Sequence, residues 1–164
     1  MSCASGNGSS ATISACGTYR YTLDRWWGND GVSAVFVMLN PSTADADQDD
    51  PTIRRCLGFA RAWQCDYLTV VNLFALRSTD PAALLAHPDP IGPENDDAIM
   101  KAVACADYVV AAWGVHGSIR GRGVAVRQLI LKPLRCLGLT KSGHPRHPLY
   151  VRADQPLIDY GASP

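Results

Sequence analysis

Residues that can bind or position a ligand follow each of four apolar segments that are typical of buried strands. Ligands of open parallel sheets bind outside the carboxyl ends of the strands, so these residues would converge there. They are Asn40, Pro41 and Ser42 after the first segment, Asn72 at the end of the second, Trp113 and Gly114 at the end of the third, and residues 140–148 after the fourth.

Asn40 and Asn72 carry amides that can recognise a ligand or hold a water molecule. Because Pro41 follows it, Asn40 must be extended, which lets its side chain project from the sheet edge. Asn72 lies inside the apolar stretch LTVVNLFAL, where a buried amide needs partners for its oxygen and its NH₂ group. Such an amide can read the edge of a pyrimidine as donor and acceptor together. The structural alternatives are that Asn40 starts a turn and that Asn72 ties down a neighbouring loop.

The loop after the fourth segment carries two histidines, His144 and His147, each followed by proline. The prolines stiffen the loop, and a stiff loop suits a group that must stabilise charge in a transition state. His-Pro also occurs in ordinary turns. The sequence does not distinguish which of the two histidines would act.

Charge is distributed unevenly along a chain whose net charge is zero. Residues 40–100 hold ten carboxylates and four arginines, whereas residues 114–153 hold eight cations and no carboxylate. The basic stretch predicts a face that meets an anion, most plausibly phosphate, or else a basic surface that pairs with the acidic half. The phosphate-binding candidates are Arg120, Lys141 and Arg146.

Length and composition limit the class of protein. A chain of 164 residues, 47% hydrophobic and 18% charged, can form one folded domain and is not intrinsically disordered. No apolar run approaches the roughly 20 residues of a membrane span, and residues 1–17 lack the features of a signal peptide. Six scattered cysteines form no C-x-x-C pair. These features predict a cytoplasmic protein with no membrane association; they do not give its oligomeric state.

The order of segments predicts the elements that position these residues. Residues 1–17 are expected to be a disordered tail and residues 18–164 one domain. Residues 19–25 and 32–39, joined by the turn Gly28-Asn29-Asp30-Gly31, have the pattern of a β-hairpin. Strands at residues 67–72, 108–113 and 135–139 then alternate with helices, one of them starting at Asp50-Pro51. The predicted fold is α/β, a three-layer sandwich around a four-stranded mainly parallel sheet with an N-terminal β-hairpin extension.

The acidic run from Asp45 to Asp50 is the one segment with the spacing of a divalent-metal loop. It lacks the glycine and closing glutamate of an EF-hand, and Asp50 is expected to cap a helix. No metal site and no cofactor is therefore predicted. The chain also has no G-x-G-x-x-G, no P-loop lysine motif and no G-x-S-x-G elbow.

Seven short motifs occur together between residues 17 and 151. They are Tyr19-Arg20-Tyr21, Met38-Leu39-Asn40-Pro41-Ser42-Thr43-Ala44, Asp50-Pro51-Thr52-Ile53-Arg54-Arg55, Val71-Asn72-Leu73-Phe74, Pro90-Ile91-Gly92-Pro93-Glu94-Asn95-Asp96, Ala112-Trp113-Gly114 and Gly143-His144-Pro145-Arg146-His147-Pro148-Leu149-Tyr150. In this combination the chain resembles the bacterial and phage family called domain of unknown function 1643. That family has no settled activity.

The order of the motifs resembles, more distantly, that of the uracil-DNA glycosylase superfamily. This resemblance implies an α/β sandwich in which Asn40-Pro41 positions the attacking water and Asn72 reads the base. Trp113-Gly114 matches the end of a further strand. The resemblance also implies that the histidine of His147-Pro148 or His144-Pro145 stabilises the departing base. An asparagine in place of an aspartate at position 40 implies weak activation of water and a slow enzyme.

The leading hypothesis is a DNA N-glycosylase-like hydrolase that removes a modified or deaminated base. The base would flip out of the stack, with Phe74 or Trp113 stacking on it and Pro41 and Ser42 near it. Its partner would be nucleic acid, most plausibly DNA, or a nucleotide. One alternative is a non-catalytic module that binds nucleic acid or a nucleotide. The other is an enzyme acting on a free nucleotide, with Mg²⁺ held by the Asp45 to Asp50 loop.

Overall fold

The computed structural model describes residues 6–29, 31–42 and 44–161. Outside the described residues lie both chain ends, Asp30 of the predicted hairpin turn, and Thr43, which follows the predicted strand at residues 32–39. Within them the chain is a mixed α/β protein, as the sequence predicts, and no helix there has the length and apolarity needed to cross a membrane.

The described residues contain seven strands in one sheet. Their bounds are β1 Gly8–Ile13, β2 Arg20–Trp26, β3 Ser33–Met38, β4 Tyr67–Asn72, β5 Tyr108–Ala111, β6 Arg135–Cys136 and β7 Ile158–Asp159. The sheet order is β1-β2-β4-β3-β5-β6-β7. Its middle strands β4, β3, β5 and β6 run parallel to one another, and the pairs β1–β2, β2–β4 and β6–β7 are antiparallel. The sheet is therefore larger than the four strands predicted.

In the described ranges, four α-helices and two 3₁₀ segments connect the strands. The helices are α1 Pro51–Ala62, α2 Ala83–Ala86, α3 Asn95–Ala104 and α4 Arg122–Leu129, and the 3₁₀ segments are Val115–Gly121 and Pro148–Tyr150. The helix predicted to start at Asp50-Pro51 is confirmed. The Asp50 carboxylate accepts a hydrogen bond from the Ile53 nitrogen at 2.9 Å. Pro51 begins the helix and has no backbone N–H group that would need an acceptor there.

Hydrophobic cores lie on both faces of the sheet. Ala34, Phe36 and Met38 of β3 pack with α1 on one face. Val35 and Val37, which alternate with them, pack on the other face in the core that contains residues of α2, α3 and α4. The continuous apolar run of β3 follows from this position, because a central parallel strand is covered on both sides.

The predicted hairpin between residues 19–25 and 32–39 is wrong. Strand β2 pairs with β1 and β4, and β4 lies between β2 and β3. Strand β3 is apolar on both faces and takes the central place between β4 and β5. The connection that follows β2 crosses the start of β4, where the Trp27 nitrogen donates to the Asp66 oxygen at 3.0 Å.

The segment 1–17, expected to be a disordered tail, contains strand β1. Residues 1–5 of that segment lie outside the described residues. An edge strand is held by backbone hydrogen bonds on one side, so β1 forms with small polar side chains that give no apolar pattern. That residues 18–164 form one domain stays a prediction.

Candidate functional site

A cavity of about 800 Å³ opens where β3, β4 and β5 end. Its volume lies in the range of small-molecule sites. The wall is formed by strand ends, the start of α1 and the loops that follow β4 and β6. It includes Arg20, Met38, Asn40, Ser42, Asp50, Thr52, Asn72, Ser78, Trp113, Gly114, His116, Arg146, His147 and Tyr150. Seven of the twelve site residues predicted from the sequence thus line one cavity.

Asn72 ends β4 with a side-chain amide that forms no hydrogen bond with the described residues. The residue is 1% exposed and lines the cavity. Its Nδ2 is buried without a hydrogen bond, and no described residue donates one to its Oδ1. Its backbone oxygen is satisfied, because Asn95 Nδ2 donates to it at 2.9 Å. A buried amide without partners costs free energy, so a ligand that supplies both an acceptor and a donor would stabilise it.

Asn40 has the opposite arrangement and ties two loops together. Its Nδ2 donates to the backbone oxygens of Ser78 at 2.8 Å, Pro41 at 3.2 Å and Leu76 at 3.3 Å. The Oδ1 atom accepts no hydrogen bond from the described residues. Asn40 lines the cavity, so its Oδ1 is the atom that can accept a hydrogen bond from a water or ligand.

Ser42 and Asp50 form a hydrogen-bonded pair in the cavity wall. The Ser42 hydroxyl donates to Asp50 Oδ2 at 3.0 Å, while Asp50 Oδ1 accepts from the Ile53 nitrogen. Each oxygen of the Asp50 carboxylate thus already accepts one hydrogen bond. Its negative charge lies at the start of α1, where the helix dipole stabilises it.

Arg20 is a site residue that the sequence reasoning missed. It is 2% exposed and lines the cavity. Its Nη1 donates to the Ala44 oxygen at 2.6 Å, and its Nε is buried without a partner. Burial lowers the pKa of Arg20 to about 10, so the side chain is charged at neutral pH. The feature that could have identified Arg20 is the direction of its strand. Strand β2 runs antiparallel to β4, so Arg20, the first residue of β2, lies where β4 ends.

His147 lies in the cavity wall and His144 does not. His147 Nδ1 accepts a hydrogen bond from the Leu149 nitrogen at 3.2 Å, so the neutral ring carries its proton on Nε2. Burial lowers the pKa of His147 below its ordinary value, and the nearby Asp50 carboxylate acts in the opposite direction. His144 is held through its backbone, with its nitrogen donating to Thr140 Oγ1 at 3.1 Å.

Trp113 and Gly114 follow β5 at the cavity wall. Trp113 is buried and contacts Tyr160 edge-on, with ring centroids 5.7 Å apart. Gly114 has φ of 71° and donates from its nitrogen to the Pro145 oxygen at 2.9 Å. This bond connects the end of β5 to the histidine loop, and the positive φ favours glycine there.

Two predicted substrate-binding residues lie outside the cavity wall. Phe74 is fully buried in the core beside α2, α3 and α4. Its ring therefore contacts other core residues and has no free face for a base. Pro41 is buried, and its backbone oxygen accepts from Asn40 Nδ2 and the Ser78 nitrogen. Trp113 is the candidate stacking residue that remains.

The three predicted phosphate-binding residues have different surroundings. Arg120 donates to the backbone oxygens of Leu84, Leu85 and His87, each at 3.0 Å, and so holds the end of α2. Lys141 is exposed and lies away from the cavity wall. Arg146 is exposed and lines the cavity, so it is the one of the three placed to contact a ligand there.

Three carboxylates of the acidic run from Asp45 to Asp50, the candidate Mg²⁺ loop, interact with other groups of the protein. Asp45 Oδ1 accepts from the nitrogens of Asp47 and Gln48, Asp49 pairs with Arg25, and Asp50 caps α1. Among residues 6–29, 31–42 and 44–161, no group of three or more His, Cys, Asp or Glu is arranged to hold a metal.

The comparisons with known proteins give a family and no relative of known activity. No curated protein and no solved structure matches the chain, so the resemblance to the uracil-DNA glycosylase superfamily is not supported by them. A family model described as protein of unknown function (DUF1643) matches residues 20–149, which include every residue of the cavity wall named above except Tyr150. With most of its length matched, the chain belongs to the DUF1643 family.

Proposed function

We propose that the chain is an N-glycosylase-like hydrolase that takes a nucleobase into the cavity at the carboxyl ends of β3, β4 and β5. The observation that carries the proposal is the Asn72 amide, which is buried, lines the cavity and forms no hydrogen bond with the described residues. A pyrimidine edge offers both an acceptor and a donor, which is what this amide lacks.

The other cavity residues supply roles for hydrolysis of the bond between base and sugar. Asn40 Oδ1 would hold the water that attacks the sugar carbon, since Asn40 Nδ2 is fixed to the Ser78 oxygen. As the carbon–nitrogen bond breaks, its electron pair goes to the base. The Nε2–H of His147 would donate a hydrogen bond to the negative charge that develops on that base. The attacking water would lose its proton to solvent.

DNA is the proposed carrier of the base because exposed cations lie on the loop after β6, which forms part of the cavity wall. Arg146 lines that wall, and Lys141 is exposed on the same loop. Cations in this position would contact phosphates and make the affinity depend on salt concentration. The base would have to leave the stack to reach Asn72.

A second candidate function is binding of a nucleic acid or nucleotide without turnover. The observation that favours it is the state of Asp50, the carboxylate in the cavity wall. Its oxygens accept hydrogen bonds from the Ser42 hydroxyl and the Ile53 nitrogen. It is therefore poorly placed to take a proton from water, and Asn40 cannot do so.

The test is a base-release assay on labelled oligonucleotides, single-stranded and duplex. They would carry uracil, hydroxymethyluracil, hypoxanthine, thymine mismatches or glucosylated hydroxymethylcytosine, and hot alkali would cleave abasic sites. The wild type would be compared with Asn72→Ala, His147→Asn and the matched control Asn7→Ala, which changes an exposed asparagine outside the cavity wall. One arm would contain EDTA.

The proposal predicts cleavage that is insensitive to EDTA, retained in Asn7→Ala and reduced at least about 100-fold in Asn72→Ala, the scale of one lost hydrogen bond to a charged group. Intact strands together with binding at low salt would favour the binding module instead. Cleavage that requires Mg²⁺ would favour the metal-dependent alternative. Cleavage that Asn72→Ala leaves unchanged would contradict this site.

A further inference from the structure

Three arginines in the described residues are almost completely buried, and their partners differ. Arg25 is 7% exposed and pairs with Asp49 at 2.9 Å. Arg122 is 5% exposed and pairs with Asp96. Arg20 is the most buried, at 2% exposed, and forms no ion pair with any carboxylate in the described part of the chain. Buried charges are normally paired, so the exception needs a reason.

The surroundings of Arg20 leave one side of its guanidinium unsatisfied. Nη1 donates to the Ala44 oxygen, whereas Nε is buried and has no acceptor among the described residues. Asp50 and Asp45 are the carboxylates that favour its charge from a distance, and Arg77 and Arg25 oppose it. Arg20 lines the cavity that contains Asn72, so an acceptor can reach this region from the ligand side.

The start of α1 adds a second feature that favours an anion. Thr52 and Ile53 line the same cavity, and they belong to the first turn of a 12-residue helix. The positive end of a helix dipole favours negative charge there. Asp50 already occupies the cap position, but both of its oxygens accept hydrogen bonds within the wall. Neither of these two bonds to Asp50 comes from Arg20, so Arg20 Nε is still a donor without an acceptor in the described part of the chain.

We propose that Arg20 is the receptor for a phosphoryl group carried by the ligand of this cavity. The planar guanidinium suits phosphate oxygens, and its charge would be compensated only in the complex. The inference rests on the proposed function for the identity of the cavity, and it extends that function by naming an anionic group inside the site. The phosphoryl group would belong either to a free mononucleotide or to a nucleic-acid strand.

The test measures binding of inorganic phosphate by calorimetry to the wild type, Arg20→Gln and Arg20→Lys. Lys101→Gln removes an exposed cation of α3 that does not line the cavity and is the matched control. We expect Arg20→Gln to weaken phosphate binding at least about tenfold, and Arg20→Lys to weaken it less because the charge is kept without the planar fork. Lys101→Gln should bind phosphate like the wild type.

Two further probes distinguish the sources of the phosphoryl group. Deoxyuridine 5′-monophosphate and deoxyuridine are compared for a free nucleotide, and a uracil-containing oligonucleotide is used for a strand. A preference for the monophosphate that disappears in Arg20→Gln assigns the group to a free nucleotide. Oligonucleotide binding that is lost in Arg20→Gln, without any preference between the two small probes, assigns it to a strand.

Equal phosphate affinity in the wild type, Arg20→Gln and Arg20→Lys would overturn the proposal. If Arg20→Gln does not fold, Arg20→Lys decides it, since unchanged phosphate binding there contradicts a role for the guanidinium fork. This result is separable from the base-release assay. Phosphate binding at Arg20 without base release rejects only the hydrolase, whereas base release without phosphate binding rejects only the role of Arg20.

Discussion

Asn40 Nδ2 donates a hydrogen bond of 2.8 Å to the backbone oxygen of Ser78, which joins the end of β3 to the loop that follows β4. Two weaker bonds from the same nitrogen, to the Pro41 and Leu76 oxygens, strengthen this connection. Asn72, on the neighbouring strand, makes no such bond from its side chain to the described residues. The two asparagines therefore have different surroundings: Asn40 connects two loops of the cavity wall, whereas Asn72 lines the cavity without a hydrogen bond from its amide within this part of the chain.

The first prediction concerns the stability of variants at these two positions. Asn40→Asp would place a carboxylate against three carbonyl oxygens and should lower the free energy of unfolding by about 1–3 kcal/mol. Asn72→Ala removes a buried amide that has no hydrogen-bond partner among the described residues, and should change the free energy of unfolding by less than about 1 kcal/mol. Urea denaturation followed by tryptophan fluorescence measures both.

Asn7→Ala, at an exposed asparagine, serves as the reference for these variants. If Asn72→Ala lowered the free energy of unfolding more than Asn40→Asp does, the Asn72 amide would have a structural partner. The distinction between the two asparagines would then be wrong.

The second prediction is a contribution of His147 to the pH dependence of stability. Burial lowers the pKa of His147 in the folded protein, while the unfolded value lies near about 6.5. In the window between these values the unfolded chain binds more protons, so the free energy of unfolding decreases as the pH falls. Protonation would also remove the acceptor that Nδ1 offers to the Leu149 nitrogen.

His147→Asn tests this contribution, because asparagine can still accept the hydrogen bond at the start of the 3₁₀ segment. Urea unfolding at pH 7.5 and pH 5.5 should show a larger loss of stability in the wild type than in His147→Asn. Carboxylates that do not interact with His147 cancel in the difference, and Asp50, which does, contributes as part of the His147 effect. An identical pH dependence in the two proteins would mean that His147 is not buried as described.

The third prediction uses the packing of Gly117 under the Trp113 ring. A Cβ atom at Gly117 would lie 2.0 Å from Trp113 Cδ1, so Gly117→Ala must displace the ring. We expect a loss of about 1–3 kcal/mol in the free energy of unfolding from overpacking, with weaker ligand binding in the cavity. Thermal and urea unfolding together with the oligonucleotide titration measure the two effects.

Gly58→Ala is the matched control in helix α1. No atom lies within 4 Å of a Cβ at Gly58, which is exposed in the middle of the helix. This substitution should raise stability by about 0.5–1 kcal/mol, because glycine is the poorer helix former. Equal effects of the two substitutions would contradict the described contact between Gly117 and Trp113.

The fourth prediction concerns the thiol of Cys16. Hydrogen bonds between the Cys16 thiol and the side chains of Ser14 and Thr18 lower the pKa of Cys16 to about 7, and the residue is exposed. Burial instead raises the pKa of Cys65 to about 11 and also raises that of Cys136. Since the thiolate is the nucleophile, iodoacetamide at pH 7 should alkylate Cys16 well before these two.

Peptide mass spectrometry over time measures the alkylation at each cysteine. Ser14→Ala and Thr18→Ala should each slow the reaction at Cys16 without changing that at Cys65. If Cys65 reacted as fast as Cys16 in the folded protein, the burial described for Cys65 would be wrong.

Local signals in the sequence predicted most of the elements that position the site. Asp50-Pro51 marks the start of α1 because a capping carboxylate and a proline suit a helix start. The stretch that ends at Asn72 marks β4 because its residues are apolar on both faces. The pairing of strands was not predictable in the same way. Whether β2 neighbours β3 or β4 depends on contacts distant in sequence, and the turn signal between residues 28 and 31 favoured the wrong neighbour.

Side-chain environments were harder to predict than elements. The sequence could not show that Arg120 holds the end of α2, because its acceptors lie more than 30 residues away. The burial of Phe74 depends likewise on packing from helices later in the chain. Arg20 could have been found, since an antiparallel strand that begins at the carboxyl edge places its first residue beside the predicted site.

The most direct test of the central claim is an NMR titration that follows side-chain amides of asparagine. Uracil and deoxyuridine would be added separately to the ¹⁵N-labelled protein, with the signals of Asn72, Asn95 and Asn7 assigned by substitution. Asn95 donates to backbone oxygens and Asn7 is exposed outside the cavity wall, so these two serve as internal controls. The account predicts a saturable shift of the Asn72 amide with little change at the other two. An Asn72 signal that stays fixed while the ligand binds elsewhere would contradict it.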